Sequence, residues 1–277
     1  MLALRLLRVM LHLLTGLLIC GFIFPFKSFS GRQVFIRRWS HQLLGICRVR
    51  LEIVNPGMHN LESSATVSAG KPAPSLTTAS MRSLATPCAN SNHGVVVANH
   101  VSWLDIFVIN ALQPCRFVAK SEILNWPLVG RLCAQAGTIF ISRGSVRAVR
   151  KTFQHLVASV VAGERVAFFP EGTTAAQGGL LPFHANLFEA AIDAKVPILP
   201  LALRYLDSDD RLYAGVHYID DTSFAQSIVT ILRGPVIRAQ IIMLPPIPSD
   251  ADKRRPLAIK THQAILAALN QAPPECA

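Results

Sequence analysis

Acidic side chains are scarce in this chain: 16 Asp and Glu stand against 27 Lys and Arg over 277 residues, giving a formal charge of +11. A chain this basic needs an anionic partner, and its positive mean hydropathy of +0.38 narrows the choice. A surface both basic and apolar suits an anionic membrane. Nucleic acid is not the expected partner, because no basic stretch is interleaved with aromatics and no zinc or helix-turn-helix signature occurs. The six cysteines (Cys20, Cys47, Cys88, Cys115, Cys133 and Cys276) form no C-x-x-C pair, so neither a zinc site nor a disulfide scaffold is expected. They read as buried or incidental thiols in a reducing compartment. There is no internal repeat, and the length suffices for one sizeable core with appendages.

The amino terminus carries Arg5 and Arg8 and then an apolar run from Val9 to Phe26, closed by Lys27. A run of about 18 apolar residues sits at the lower limit for spanning a bilayer. No small-x-small site follows it, so an anchor is expected rather than a cleaved signal, and both a spanning and a re-entrant placement fit. Arg32, Arg37, Arg38, Arg48 and Arg50 come next, which places the following domain on the cytoplasmic side of a bacterial-type inner membrane by the positive-inside rule. From Gln33 to Leu51, residues Phe35, Ile36, Trp39, Leu43, Leu44 and Cys47 recur at helical spacing. This is either an amphipathic helix at the lipid interface or a core helix.

Residues 1–54 therefore read as an anchor with an amphipathic helix. Residues 55–93, rich in Ser, Thr, Ala, Pro and Asn, read as a flexible insertion. Residues 94–277 read as the catalytic domain. There, short β-rich runs (Val95–Val97, Arg116–Ala119, Thr138–Ile141, Val166–Phe169, Ile198–Leu203 and Ile237–Leu244) alternate with helical patterns. One helix is expected to begin at a Ser145 cap, to present Val149, Phe153, Leu156, Val157 and Val160, and to stop at Gly163; His155 is expected among its core-facing positions. A last helix is expected around Ile259, Ile265, Leu266 and Leu269. The expected class is α/β, a mixed and largely buried sheet flanked by helices.

Directly after the Val95–Val97 run comes Asn99-His100-Val101-Ser102-Trp103-Leu104-Asp105. A turn opening into a helix would return the Asp105 carboxylate to the His100 imidazole. An ionised Asp105 accepting from one ring nitrogen would fix the tautomer and leave the other nitrogen free to take a proton, a hydroxyl-activating dyad without a protein nucleophile. The bland alternative is a capping or core-satisfied pair. Phe169-Pro170-Glu171-Gly172-Thr173-Thr174 follows another apolar run and is either a tight ligand-facing loop or a plain turn. Arg143, closing Gly137-Thr138-Ile139-Phe140-Ile141-Ser142-Arg143, stands at a strand end where a guanidinium clamps phosphate in two-pronged fashion; Arg147, Arg150 and Lys151 read as a solvated helix face. His184 is expected to cap or pack, and Trp103 and Trp126 to pack, with Trp103 also placed to meet an acyl chain. No metal is expected, since carboxylates are sparse around these motifs.

In order and combination, Asn99 through Asp105, Gly137 through Arg143, Phe169 through Thr173 and Val196-Pro197-Ile198-Leu199-Pro200 resemble the glycerolipid acyltransferase family, in particular its bacterial 1-acylglycerol-3-phosphate branch. The resemblance covers roughly Gly94 to Leu203. It implies that His100 deprotonates an acceptor hydroxyl and that Asp105 holds His100. It also implies that Lys120, Arg143, Glu171, Gly172 and Thr173 bind the acceptor's glycerol phosphate. The acyl donor would be acyl-CoA or acyl-carrier protein, used as co-substrate with no further cofactor. The acceptor would be a lysophospholipid, with lysophosphatidate first. One departure bears on this: the family often has Arg where this chain has Thr174, which brings lyso-ornithine lipid or another lysolipid closer. Two readings of other kinds are a lipid-binding protein without activity and a thioester hydrolase.

Overall fold

The computed structural model describes residues 2–55, 93–141, 146–249 and 253–271. It begins with a helical hairpin. Helix α1 (Leu2–Leu18) runs through a π-helical turn at Ile19–Ile23 and a 3-10 turn at Phe24–Phe26, where Pro25 ends the helical ladder. The Ser28 side chain then caps α2 (Phe29–Ile46) by accepting from the Gly31 amide at 3.3 Å. The helical pattern expected to reach Leu51 stops at Ile46, because Arg48 turns the chain with φ 59° and Val49–Val54 becomes strand β1. The alternation Val-Arg-Leu-Glu-Ile-Val carries that strand.

The remaining elements are β2 (Val95–Ala98), α3 (Leu104–Leu112), β3 (Arg116–Lys120), α4 (Val129–Gln135), β4 (Ile139–Ile141), α5 (Val146–Val161), β5 (Val166–Phe168), α6 (Glu189–Asp193), β6 (Ile198–Leu206), α7 (Phe224–Arg233), β7 (Ile237–Met243) and α8 (Arg254–Leu269). Each expected strand forms, and β6 runs three residues beyond the expected end at Leu203. The seven strands make one mixed sheet in the order β1-β7-β6-β2-β5-β3-β4. Strands β6, β2, β5, β3 and β4 are parallel, while β7 lies antiparallel to β6 and parallel to β1.

Two apolar layers enclose this sheet. Val96 and Ala98 of β2 face a core built with Leu43 and Leu44 of α2, Leu104 and Val108 of α3 and Ile231 of α7. Val95 and Val97 face the opposite core, with Leu156 and Val160 of α5, Ala190 of α6 and Leu257 and Ile265 of α8. A strand buried on both sides reads as an unbroken apolar run, which is why Val95–Val97 shows no alternation. Each such aliphatic side chain contributes on the order of 2 kcal/mol by leaving water.

The apolar face of α2 is a core face: Ile36, Leu43 and Leu44 are buried, while Arg37, Arg38 and His41 stand exposed. One expectation is corrected: His155 is exposed on α5, one residue before the buried Leu156. The expected last helix forms as α8, with Leu257, Ala258 and Ile265 facing the core and Ile259 pointing outward. The expected cap Ser145 and nearly all of the 55–93 insertion lie outside the described residues.

Candidate active site

Neighbouring parallel strands deliver their carboxyl ends to one edge of the sheet, the usual location of ligand sites in such folds. Strand β2 leads directly into Asn99 and His100, β5 into Phe169 to Thr173, and β3 ends at Lys120. Because β5 sits between β2 and β3, these ends form one row.

Asn99 anchors the row. Its side-chain amide donates to the Leu203 carbonyl at 2.9 Å and its carbonyl accepts from the Leu203 amide at 2.7 Å, which ties the turn after β2 to β6. The chain then turns so that Asp105, in the first turn of α3, reaches back to His100. His100 Nδ1 and Asp105 Oδ2 are 2.7 Å apart. The same carboxylate oxygen accepts from the amides of Val101 (2.7 Å) and Ser102 (2.9 Å), so Asp105 both closes the turn and holds the ring. Asp105 is fully buried, whereas the His100 side chain is 19% exposed. The imidazole stacks on Phe169, with ring centroids 3.9 Å apart and planes inclined by 6°. Since Nδ1 lies against an acceptor-only carboxylate, it carries the proton, and Nε2 is the basic nitrogen.

Glu171 is a buried residue, only 5% exposed, whose carboxylate turns inward and accepts from the His100 amide at 2.7 Å and the Leu181 amide at 3.1 Å. Burial raises its pKa, partly offset by those two backbone donors. Both oxygens are thus engaged with backbone amides. Gly172 adopts φ +71°, a conformation that favours glycine, and its amide donates to the Phe169 carbonyl at 3.2 Å. The His184 ring covers it: a Cβ on Gly172 would lie 3.4 Å from His184 Cδ2. His184 takes the N-cap position of a 3-10 turn (Ala185–Phe188) without a side-chain capping bond, and its ring packs over Gly172, the packing alternative of the expectation. Thr173 and Lys120 are exposed at the row's surface. Arg143, two residues past the end of β4, lies outside the described residues.

Thr174, at the position of the departure, donates its hydroxyl to the Tyr218 carbonyl. Trp103 donates Nε1 to Ser227 Oγ at 3.0 Å and meets Phe224 edge-on at 5.1 Å, so it packs the start of α3 against α7. The described thiols are poor nucleophiles, Cys47 and Cys115 being pushed up to about 12 by burial.

Two residues of the site have no local sequence signal. Tyr205 of β6 donates its hydroxyl to Asp105 Oδ1 at 2.6 Å across a separation of 100 residues. Gln177 accepts from the Tyr205 amide at 2.6 Å and donates to the Tyr213 carbonyl at 3.1 Å. Tyr205 lies in an apolar run that reads simply as a buried strand, and Gln177 lies in a loop.

Residues 78–204 match the sequence profile of the family described as Acyltransferase. A 1-acyl-sn-glycerol-3-phosphate acyltransferase of Neisseria gonorrhoeae is 44% identical over 135 residues, 48% of this chain and 53% of that protein. A lyso-ornithine lipid O-acyltransferase of Pseudomonas aeruginosa is 39% identical over 173 residues, covering 62% of this chain and 66% of the relative. The chain thus matches about half the length of the first relative and somewhat under two thirds of the second. The crystal structure of the 1-acyl-sn-glycerophosphate acyltransferase of Thermotoga maritima shares the fold, with a TM-score of 0.58 over 99% of both chains at 17% identity. Residues 78–204, which hold all four motif blocks, are thus similar in sequence to the acyltransferase family, and the relatives that match this part of the chain carry acyltransferase names.

Proposed function

We propose that this protein transfers a fatty acyl group from acyl-CoA or acyl-carrier protein to the free hydroxyl of a lysophospholipid, 1-acyl-sn-glycerol-3-phosphate first among them, to give phosphatidic acid. The observation that carries the reading is the dyad: Nδ1 of His100 is engaged by a buried carboxylate while the ring keeps an accessible edge. Nε2 takes the proton of the acceptor hydroxyl as its oxygen attacks the thioester carbonyl. Collapse of the tetrahedral intermediate expels the thiolate, which receives that proton from the imidazolium. Asp105 stabilises the imidazolium between the two steps, and such a base contributes about a hundredfold to ten-thousandfold. Lys120 and Arg143 are assigned to the acceptor phosphate, with Gly172 and Thr173 shaping the floor beneath it. Glu171 is assigned a holding role through the His100 amide, since a buried carboxylate with both oxygens engaged makes a poor phosphate contact.

The protein works at a membrane in this reading. Leu4, Leu7, Met10, Leu11, Leu14 and Leu18 of α1 are all at least half exposed. The opposite side of α1 packs on the body along its length, from Leu2, Leu6 and Leu13 against the main core to Cys20 and Phe24 beside Ile36. Arg5 also donates to the Leu232 carbonyl at the end of α7. A helix fixed sideways in this manner favours re-entrant burial in one leaflet over crossing. The arginines after it assign the body to the cytoplasmic face of a bacterial-type inner membrane.

A second acceptor, lyso-ornithine lipid, is favoured by one feature. Thr174 spends its hydroxyl on Tyr218 and brings no positive charge to the place where the family often has Arg. The Pseudomonas aeruginosa relative carries the lyso-ornithine name.

Purified protein in vesicles, offered labelled acyl-CoA or acyl-carrier protein with lysophosphatidate, lyso-ornithine lipid or lysophosphatidylethanolamine, tests the assignment. Acylation of lysophosphatidate is expected. Acylation of another lysolipid alone would refute the acceptor while keeping the reaction class, and release of free fatty acid alone would indicate a hydrolase.

A further inference from the structure

Asp105 is bonded unevenly. Three donors converge on Oδ2 (His100 Nδ1 and the amides of Val101 and Ser102), whereas Oδ1 accepts from the Tyr205 hydroxyl at 2.6 Å. The Tyr205 hydroxyl is thus the donor that Oδ1 has in this buried site, and it shares the carboxylate's charge with the three donors on Oδ2. Tyr205 is itself placed firmly, fully buried on β6 with its backbone amide and carbonyl both bonded to the Gln177 side chain, at 2.6 and 3.2 Å. Gln177 belongs to the loop that begins with Glu171 and Gly172, so the strand holding Asp105 and the loop bordering the site are joined through Tyr205.

We propose that Tyr205 is a positioning residue for the dyad, its hydroxyl fixing the Asp105 carboxylate and drawing off part of its charge, and so setting how strongly Asp105 supports His100. The proposal rests on His100 acting as the base. Burial and the neighbouring Asp105 raise the Tyr205 pKa well above its ordinary value, so the phenol remains a donor throughout the working range. Among the described residues, the titratable groups in contact around the dyad are His100 from the turn after β2, Asp105 from α3, Glu171 from the loop after β5 and Tyr205 from β6. His184 stands beyond Gly172.

Removing the hydroxyl leaves Asp105 more electron-rich, which favours the imidazolium over the neutral base. In Tyr205→Phe, kcat/KM at neutral pH is expected to fall about threefold to tenfold, and the acid limb of its pH profile to move up by about half a unit, as befits loss of one hydrogen bond to a charged group. The same change made in an Asp105→Asn background leaves the limb where it was. The low-field Nδ1 proton resonance of His100, observed in micelles without turnover, moves further downfield. Should Tyr205→Phe fold poorly, site-specific fluorotyrosine at 205 keeps the shape with a stronger donor and displaces both readouts in the opposite direction. A profile that is scaled but not displaced, together with an unmoved resonance, would reduce Tyr205 to a packing residue. Wild-type protein that acylates no lysolipid would overturn the acyltransfer reading instead, and the resonance would still decide whether Tyr205 tunes the dyad.

Discussion

The ring nitrogen Nε2 of His217 shows how tightly the site's surroundings depend on protonation. Nε2 of His217 accepts the Gln177 amide at 3.1 Å, which requires an unprotonated nitrogen. Partial burial lowers the His217 pKa from 6.5. Between the folded and unfolded values the unfolded chain binds the extra proton, so stability rises with pH across that window and is lost as pH falls below 6.5. Urea unfolding at pH 7.5 and 5.5 should show a smaller difference in midpoint for His217→Gln, whose side chain accepts without titrating, than for the wild type; equal differences would remove His217 from the account. At this scale, the sequence makes the His100–Asp105 contact legible because five residues of turn and helix suffice to bring the groups together. Tyr205 and Gln177 were not legible, because their contacts depend on strand register over long separations. The inward turn of Glu171 was equally hidden, since a carboxylate beside a glycine looks the same whether it faces backbone amides or a ligand.

Among the elements, the hairpin of α1 and α2 carries the most information about setting. His12 of α1 stacks on Trp39 of α2 at 4.3 Å, and each ring donates an N–H to the other residue's backbone carbonyl at 3.1 Å. Gly16 permits this approach, since a Cβ there would come within 2.9 Å of Trp39 Nε1. The hairpin is therefore clamped on one side and apolar on the other. Replacing Leu7, Met10, Leu11 and Leu14 together by Gln is expected to release the protein from anionic vesicles in a flotation assay while its circular dichroism is unchanged; retained flotation would mean that α1 is not the membrane contact. The apolar run itself was plain in the sequence. Its partner face was not, because Phe35, Ile36 and Trp39 read alike for a lipid-facing and a core-facing helix. Strand β1 is masked in the sequence because the helical periodicity read from Gln33 to Leu51 runs over the short alternation after Arg48, whose left-handed backbone marks the real boundary.

For the whole molecule, the sheet follows from the order of its apolar runs, and strands buried on both faces announce themselves by composition. Strand order does not: that β7 returns antiparallel beside β6 and brings β1 with it depends on pairings between distant segments. The consequence is functional, because the parallel block β2-β5-β3 alone supplies the row of strand ends where His100, the Gly172 loop and Lys120 meet. The central claim is that His100, held by Asp105, is the base for acyl transfer at that row. Mass-spectrometric measurement of acylated lysolipid formed by equal amounts of folded wild-type protein and His100→Ala tests it most directly. The account predicts product from the wild type and a loss of at least about a hundredfold in the variant, and undiminished product from His100→Ala would contradict it.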